Sequence, residues 1–213
     1  MTTTTCSLEH DPISLDLFAA DARPDLADLY LAGQAESLRR HLGAAAPRPP
    51  TLAGAHVVLA RGRGGGALGG IRVHPRGPAA PLPVELALGD RCPIRAAIDR
   101  APAPVVEACG TWLAETSRGG ELAAALALAS IAVARALGAR RIVGCAHQHA
   151  LALYRRFGAV VDPDLGVHPW PDPRYRTCVF WVDPSTCPPG QAAIDACLAG
   201  LRRADPPPIG RAA

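Results

Sequence analysis

One carboxylate stands alone in an apolar stretch near the middle of this 213-residue chain. The segment from Val105 to Ala114 reads V-V-E-A-C-G-T-W-L-A, which predicts a central strand, and Glu107 is its only charged residue. Burial disfavours the charged form of a carboxylate and raises its pKa toward neutrality, where it can act as a general base. Glu107 is therefore the first candidate for a catalytic base. The alternatives are a buried ion pair with an arginine and a position at an exposed strand end.

Two further glutamates lie close to this strand in the sequence. Glu85, in L-P-V-E-L, is the second candidate, because a short strand or rim segment over Leu82 to Leu86 would place its carboxylate on a neighbouring edge as a substrate-binding group. Glu115 lies next to the turn that follows the strand. We expect it to cap or orient that turn.

The turn after the central strand has the composition of an anion-binding loop. A strand that ends in a glycine turn and opens a helix offers backbone N–H groups to a phosphate, and an arginine adds a guanidinium. The alternative is an ordinary helix start with serine as its cap. Glu121 argues against a nearby phosphate, since a carboxylate about 4 Å away repels it by ~4 kcal/mol at an effective dielectric of 20. Either the Glu121 side chain points away or the ligand lacks a diphosphate. The residues predicted to bind a cofactor here are Trp112, Leu113, Ser117, Arg118, Gly119, Gly120 and Glu121.

A second polar group lies on a short helix that follows the next buried strand. Ala150, Leu153, Tyr154 and Phe157 recur at helical spacing before Gly158. The Tyr154 hydroxyl is thus either part of an aromatic core residue or a proton donor. The preceding H-Q-H places His147 and His149 on one side of an extended segment, but no third metal ligand is evident. We predict a structural or pocket-lining role for these histidines and no metal.

The elements that must position these residues follow from the same periodicities. The central strand is followed by a helix from Gly120 or Glu121 to Leu137. Residues 1–22 are expected to be loosely packed. The other predicted elements are a helix over Pro24 to Leu42, strands over His56 to Ala60, Ala67 to His74, Arg141 to Ala146, Val160 to Val161 and Tyr175 to Val182, and helices over Ile94 to Arg100 and Gln191 to Arg203. We predict one domain over residues 1–183, with its core at about 50–183, and a C-terminal helix with a Pro-rich tail over 184–213.

The composition limits the partners and the compartment. A formal charge of +3 does not argue for nucleic acid, and the R-G-R-G-G-G segment after Ala60 is predicted to be a turn rather than an RNA contact. The seven cysteines contain no C-x-x-C pair, so we expect reduced thiols and a cytoplasmic protein. The longest apolar run, from Leu122 to Ala134, is shorter than the ~20 residues that span a bilayer. No signal peptide is evident at the start of the sequence.

The order of strand, R-G-G turn, long helix, strand and H-x-x-A-x-x-L-Y-R-R-F-G resembles the GNAT acyltransferase superfamily. Its fourth motif usually reads N-x-x-A-x-x-L-Y-x-x-x-G-F, which this chain matches at Ala150, Leu153, Tyr154 and Gly158. His147 stands at the asparagine position. The donor loop of the superfamily reads Q/R-x-x-G-x-G/A, where Arg118 and Ala123 match and Glu121 stands at a glycine position. The resemblance covers roughly residues 50–183.

V-E-A-C-G on the central strand is similar to the E-x-S-R of N-acyl amino acid synthases and acyl-homoserine-lactone synthases, with Gly110 in place of the arginine. The resemblance implies an α/β fold in which a mixed, twisted sheet is flanked by helices. It implies N-acyl transfer from an acyl thioester, carried by coenzyme A or an acyl carrier protein, to a small amine such as an amino acid. Tyr154 would protonate the departing thiolate, and His147 and Ala150 would border the donor.

The loop before the last strand often borders the acceptor pocket in this architecture, so His168 and Tyr175 are predicted to bind substrate together with Glu85. The pairs Arg39–Arg40, Arg140–Arg141 and Arg155–Arg156 could steer an acidic carrier protein. The alternative from another class is a non-catalytic ligand-binding or interaction module that keeps the fold.

Overall fold

The computed structural model describes residues 4–8, 11–43, 51–77, 80–117 and 120–202. Nine strands in these residues form a single sheet. They are β1 (Thr4–Leu8), β2 (Asp11–Ala19), β3 (His56–Arg61), β4 (Ala67–Pro75), β5 (Val105–Leu113), β6 (Arg141–His147), β7 (Val160–Val161), β8 (Val167–His168) and β9 (Thr177–Val182).

The strand order in the sheet is β1-β2-β3-β4-β5-β6-β9-β7, and β8 also pairs with β9. Neighbours are antiparallel throughout, except that β5 and β6 are parallel. The long helix between β5 and β6 supplies the crossover that a parallel pair requires. The predicted mixed sheet flanked by helices is confirmed.

In the part of the chain that the structure describes, six α-helices cover the two faces of the sheet. They are α1 (Pro24–Leu42), α2 (Pro83–Leu88), α3 (Ile94–Arg100), α4 (Gly120–Ala136), α5 (Leu151–Arg155) and α6 (Gln191–Arg202). Because successive strand residues point to opposite faces, the alternation along β3 identifies the two layers. Val58 and Ala60 pack with α4, whereas Val57 and Leu59 pack with α1.

The described residues form three buried apolar clusters. The largest lies between the sheet, α4 and α6, and α4 is buried nearly all round, as its uniformly apolar sequence predicts. The α1 cluster lies on the opposite face and contains Tyr30 and Trp112. The α2–α3 cluster covers the same face further along the sheet and contains Leu82, Ile98 and Val143. Polar side chains occupy the sheet face between these last two clusters.

Two predictions about elements are wrong. Residues 1–22 contain strands β1 and β2 instead of a loose segment, and Leu15 is buried in the large cluster. Ile13, Leu15 and Leu17 alternate with polar residues, which is the period of a half-buried strand. The segment Leu82 to Leu86 is mostly helix α2, with Pro83 at its first position, where proline's fixed φ suits a helix start.

The remaining predicted elements are present with boundary shifts of a few residues. The R-G-R-G-G-G segment closes the β3–β4 hairpin as a turn, in which the N–H of Gly62 donates to the carbonyl of Gly66. No helix among the described residues combines the length and apolarity needed to cross a bilayer. Residues 203–213, which include most of the predicted tail, lie outside the described residues.

Candidate functional site

The parallel strands β5 and β6 separate halfway along their length. Their ladder contains Val105–Arg141, Val106–Ile142 and Glu107–Val143, after which no further pair forms although both strands continue. Exposure follows this change: β5 is buried from Val105 to Glu107 and half-buried from Ala108 to Thr111. The two strands therefore flank a cleft that begins immediately after Glu107.

A β-bulge at Gly110 changes which face of the sheet each residue of β5 occupies. Ala108 and Leu113 both pack in the α4 cluster although they are an odd number of positions apart, which a regular strand does not permit. The register to β4 shifts at the same place, between Gly70 and Arg72. Gly110 has a φ of 64°, and its carbonyl accepts a hydrogen bond of 2.6 Å from the Tyr30 hydroxyl. Gly110 is therefore the site of both a β-bulge and a close approach of the Tyr30 side chain to the backbone.

Glu107 is buried at the inner end of the cleft, on the face covered by α2. Its side chain accepts a hydrogen bond of 2.7 Å from the backbone N–H of Val84 and a second from the Cys109 thiol. Burial raises the pKa of Glu107 to about 7, while the Val84 N–H, Cys109 and the charge of Arg72 act in the opposite direction. No ion pair to the Glu107 carboxylate is found among the described residues, so it is positioned to exchange a proton near neutral pH.

Tyr154 lies on the opposite face of the sheet, with α4. Its hydroxyl donates a hydrogen bond of 3.3 Å to Oγ1 of Thr111, so the two residues meet across the opening between β5 and α5. Its ring stacks on Phe180 with centroids 4.8 Å apart. Burial raises the pKa of Tyr154, which keeps the hydroxyl protonated as a proton donor must be. Tyr154 is thus an aromatic core residue whose hydroxyl reaches the cleft. Its function as a proton donor stays a prediction.

A small cavity of about 20 Å³ adjoins Tyr154 on this face. Its walls are mostly apolar, with the Ser130 side chain as an exception, and Ala108 forms its border with the cleft. Ser130 donates its hydrogen bond to the carbonyl of Ala127 within α4. The cavity thus offers an apolar surface next to the cleft.

The predicted anion-binding turn is only partly described, because Arg118 and Gly119 lie outside the described residues. The Ser117 hydroxyl donates to the Leu68 carbonyl at 2.8 Å, and its N–H donates to Ala114 at 3.0 Å. Gly120 and Glu121 begin α4, and both are exposed. Ser117 therefore secures the turn to the neighbouring strand β4.

Trp112 and Leu113 end β5 with their side chains on opposite faces. The Trp112 ring is buried in the α1 cluster against Tyr30, and the Leu113 side chain packs with the α4 cluster. The Leu113 carbonyl accepts a hydrogen bond of 3.3 Å from Arg40. Cofactor binding by this strand end stays a prediction.

Glu85 is buried on α2, not on a strand. Its carboxylate accepts from the backbone N–H of Leu82 at 2.8 Å and pairs with Arg76 at 3.1 Å and Arg95 at 3.7 Å. These contacts give the Glu85 carboxylate a structural function at the start of α2. Its function in substrate binding stays a prediction.

The predicted pocket-lining residues fall into two groups. His147 ends β6 half-buried, with the Tyr175 ring edge-on at 4.9 Å and the His149 ring at 4.6 Å, and Ala150 follows in a short 3₁₀ turn. His168 is buried elsewhere, with Nε2 2.7 Å from the Leu165 carbonyl. Tyr175 and His147 are thus brought together, and His168 packs within its own loop. Within the described ranges, no group of three or more histidine, cysteine or carboxylate side chains could hold a metal ion.

Sequence reasoning missed the polar residues that β4 places beside Glu107. Arg72 and His74 are 3% and 7% exposed and lie directly opposite Cys109 and Glu107 in the antiparallel ladder. The signal was available in the alternation I-R-V-H, where polar residues recur every second position in a strand that is otherwise apolar. Which strand they would face cannot be read from that segment alone.

The comparisons with known proteins establish the fold. No protein-family model matches the chain. Uncharacterized proteins of Mycobacterium bovis and Mycobacterium tuberculosis are 38% identical over 89 residues, which is 41% of this chain and 34% of theirs. The chain thus spans about a third of the length of the curated relatives that it matches.

Solved structures match over most of the chain at low sequence identity. The CoA-dependent acyl-homoserine lactone synthase BjaI, solved with MTA, aligns with a TM-score of 0.63 at 16% identity, covering 87% of this chain and 89% of that one. FeeM, an N-acyl amino acid synthase from uncultured soil microbes, aligns with a TM-score of 0.59 at 13% identity, covering 80% and 94%. A putative phosphinothricin N-acetyltransferase aligns at 0.52 and 17% identity, covering 81% and 100%. The chain therefore has the fold of the GNAT acyltransferases.

Proposed function

We propose that this chain is an N-acyltransferase that moves an acyl group from an acyl thioester to the amine of a small molecule. The observation that carries the proposal is the separation of β5 and β6 immediately after Glu107, with the Tyr154 hydroxyl at the same opening. A carboxylate that titrates near neutral pH and a protonated phenol therefore flank one cleft. These are the two proton-transfer groups that aminolysis of a thioester uses.

The chemistry is a direct transfer between two bound substrates. Glu107 takes a proton from the acceptor ammonium, and the free amine attacks the thioester carbonyl. As the carbon–sulfur bond breaks, Tyr154 donates its proton to the departing thiolate. The attacking nitrogen loses a second proton as the amide forms, and that proton restores the Tyr154 hydroxyl. The products are an amide and a free thiol, and the proton on Glu107 returns to solvent. Holding the two substrates together makes the largest contribution to lowering the activation barrier, ~7–11 kcal/mol.

The donor is proposed to lie in the cleft with its thioester between the two strands. The exposed start of α4 would face the phosphate of the donor. A contact between Arg118 and that phosphate stays a prediction from the sequence. Glu121 is exposed there, so its carboxylate has room to turn toward water. Acyl-coenzyme A and acyl carrier protein both present a pantetheine thioester. The solved synthases of the same fold that are described as CoA-dependent favour coenzyme A.

The acceptor is proposed to be a small amine such as an amino acid, because FeeM is described as an N-acyl amino acid synthase. Tyr175 would border its pocket. His147, whose ring meets that of Tyr175 at the end of β6, would border the donor. His168 would hold the shape of the same loop through its contact with Leu165.

The test begins with donor binding. Thermal unfolding of the purified protein is measured with acetyl-coenzyme A, a long-chain acyl-coenzyme A and an acyl carrier protein, alongside Arg118→Ala. A ligand at 100 times its Kd stabilises by ~2.7 kcal/mol, which is several degrees for a domain of this size. A shift with one donor that Arg118→Ala loses supports the donor site at the turn.

Turnover is then measured against a panel of amines with Glu107→Gln and Tyr154→Phe. We expect each variant to lose roughly 10²- to 10⁴-fold in rate while it still binds the donor. Phe keeps the stacking on Phe180, so Tyr154→Phe removes only the hydroxyl. Donor binding without turnover of any amine would favour the non-catalytic binding module. No donor binding would contradict the proposed function.

A further inference from the structure

Four polar side chains form a row on the sheet face beneath α1 and α2. Arg72 and His74 on β4 lie directly opposite Cys109 and Glu107 on β5, and all four point to the same face. This polar row separates the apolar α1 cluster from the α2–α3 cluster. Because Cys109 is half-buried where β5 leaves β6, the row reaches the cleft at one end.

Three members of the polar row have hydrogen-bond partners in the protein. Arg72 donates to Cys109 Sγ and to Oε1 of Gln34, each at 3.3 Å. Cys109 and the Val84 N–H both donate to Glu107. His74 differs, because its Nε2 is fully buried and has no hydrogen-bond partner among the described residues. Buried polar atoms in native proteins are nearly always satisfied, so such an atom calls for a ligand, a water or a catalytic function.

We propose that Nε2 of His74 binds the acceptor amine by accepting a hydrogen bond from one of its N–H groups. The Glu107 carboxylate takes the proton that the amine must lose. This inference rests on the proposed function and deepens it by naming the acceptor side of the site. It places the acceptor's reacting nitrogen against the side chains of His74 and Glu107, on the sheet face opposite Tyr154 and next to the opening between β5 and β6. The ligand class is a primary amine that arrives as its ammonium form.

The position of His74 suits this function geometrically. Side chains directly opposite each other in an antiparallel pair have Cβ atoms roughly 4.5–5.5 Å apart, so one small nitrogen can reach both the imidazole and the carboxylate. Burial, with a smaller effect from the Arg72 charge, lowers the pKa of His74 to about 4. The imidazole is therefore uncharged at neutral pH. It offers a lone pair and does not repel an ammonium.

The test compares two substitutions at this position with a control on the same strand. His74→Gln keeps a neutral hydrogen-bonding group near the position of Nε2, and His74→Leu removes it and fills the buried space with apolar atoms. Val73→Ala is the control: Val73 is buried on the other face of β4 and faces the α4 cluster. The probes are the twenty protein L-amino acids and a set of simple primary amines, with acetyl- and long-chain acyl-coenzyme A as donors.

For the best acceptor, we expect His74→Leu to raise KM by about 10- to 100-fold, the effect of losing a hydrogen bond to a charged group. His74→Gln should stay within roughly threefold of the wild type, and Val73→Ala should lower Tm without changing KM. All variants should bind the donor equally. A histidine that does not contact the acceptor would leave the KM of His74→Leu unchanged, whatever the change in Tm.

Each remaining outcome overturns the function of His74 alone or both proposals. Equal acylation by the wild type and His74→Leu overturns the function of His74 and leaves the proposed acyltransfer standing. Equal losses in His74→Gln and His74→Leu also overturn it, because they show a requirement for shape instead of a hydrogen bond. A wild-type protein that binds a thioester but neither binds nor acylates any amine overturns both proposals.

Discussion

Glu107 makes folding depend on pH in the direction opposite to that of a salt-bridged carboxylate. Its pKa rises from an ordinary 4.5 to about 7 in the folded protein, mainly because of burial. Between these values the folded protein holds a proton that the unfolded chain has released. Glu107 therefore lowers the free energy of unfolding as pH rises from about 4.5 to about 7, by roughly 3 kcal/mol in total.

Glu107→Gln should remove this pH dependence, because the amide does not titrate. Relative to the wild type, the variant should gain stability between pH 5 and pH 8, as measured by urea unfolding at both values. Glu115→Gln, at an exposed position beside the turn, serves as the control and should follow the wild type. Parallel pH curves for the wild type and Glu107→Gln would contradict the raised pKa.

At the scale of elements, the bulge in β5 depends on Gly110. A Cβ there would lie 2.5 Å from the Tyr30 hydroxyl and 2.6 Å from Nε2 of Gln34, and the positive φ is unfavourable for other residues. Gly110→Ala should therefore reduce the free energy of unfolding by ~1–3 kcal/mol. Gly64→Ala is the matched control, because a Cβ in that hairpin turn meets nothing within 4 Å.

Chemical denaturation of both variants measures the difference. We also expect Gly110→Ala to reduce acyltransfer, since the bulge is what turns Thr111 toward Tyr154. A stability equal to that of Gly64→Ala would show that α1 moves away from β5 at little cost, contrary to this expectation.

The elements that sequence predicted best are those whose signal is local. The helix α4 was evident from its continuous apolar run, its starting glycine and its stop at Gly138. The helix α2 was missed because six residues with alternating character fit a strand as well as a helix. The strand β2 was not predicted, although Ile13, Leu15 and Leu17 alternate with polar residues.

Only part of the candidate site could be predicted from the sequence. Glu107 was found because a single charge interrupts an apolar strand, and Tyr154 because it lies in a recognisable helical motif. Arg72 and His74 were missed because their importance comes from their register opposite Cys109 and Glu107. That pairing joins segments more than thirty positions apart, and no local pattern specifies it.

At the scale of the whole molecule, α6 is part of the main core. It packs on α4, where Leu198 is buried in the large apolar cluster and Asp195 pairs with Arg135 at 2.7 Å. It also contacts β1 and β2 at the far edge of the sheet. The N-terminal hairpin, α4 and α6 should therefore unfold together.

Leu198→Ala should lower the free energy of unfolding by ~2–5 kcal/mol and keep a single cooperative transition. Leu86→Ala is the control, because Leu86 is 67% exposed on α2. The measurement is urea unfolding followed by far-UV circular dichroism and tryptophan fluorescence. Two separated transitions would show that α6 folds independently of the sheet.

Glu107 and Tyr154 lie on opposite sides of a single sheet, one under α2 and the other with α4. Hydrogen-bonded strands normally leave no gap between them, so side chains on the two faces of a sheet cannot contact the same atom. Because β5 and β6 are not paired beyond Glu107, the sheet has an opening there. Only an atom in that opening could contact both Glu107 and Tyr154. One further residue pair between β5 and β6 would close this opening and separate Glu107 from Tyr154, although no side chain would change.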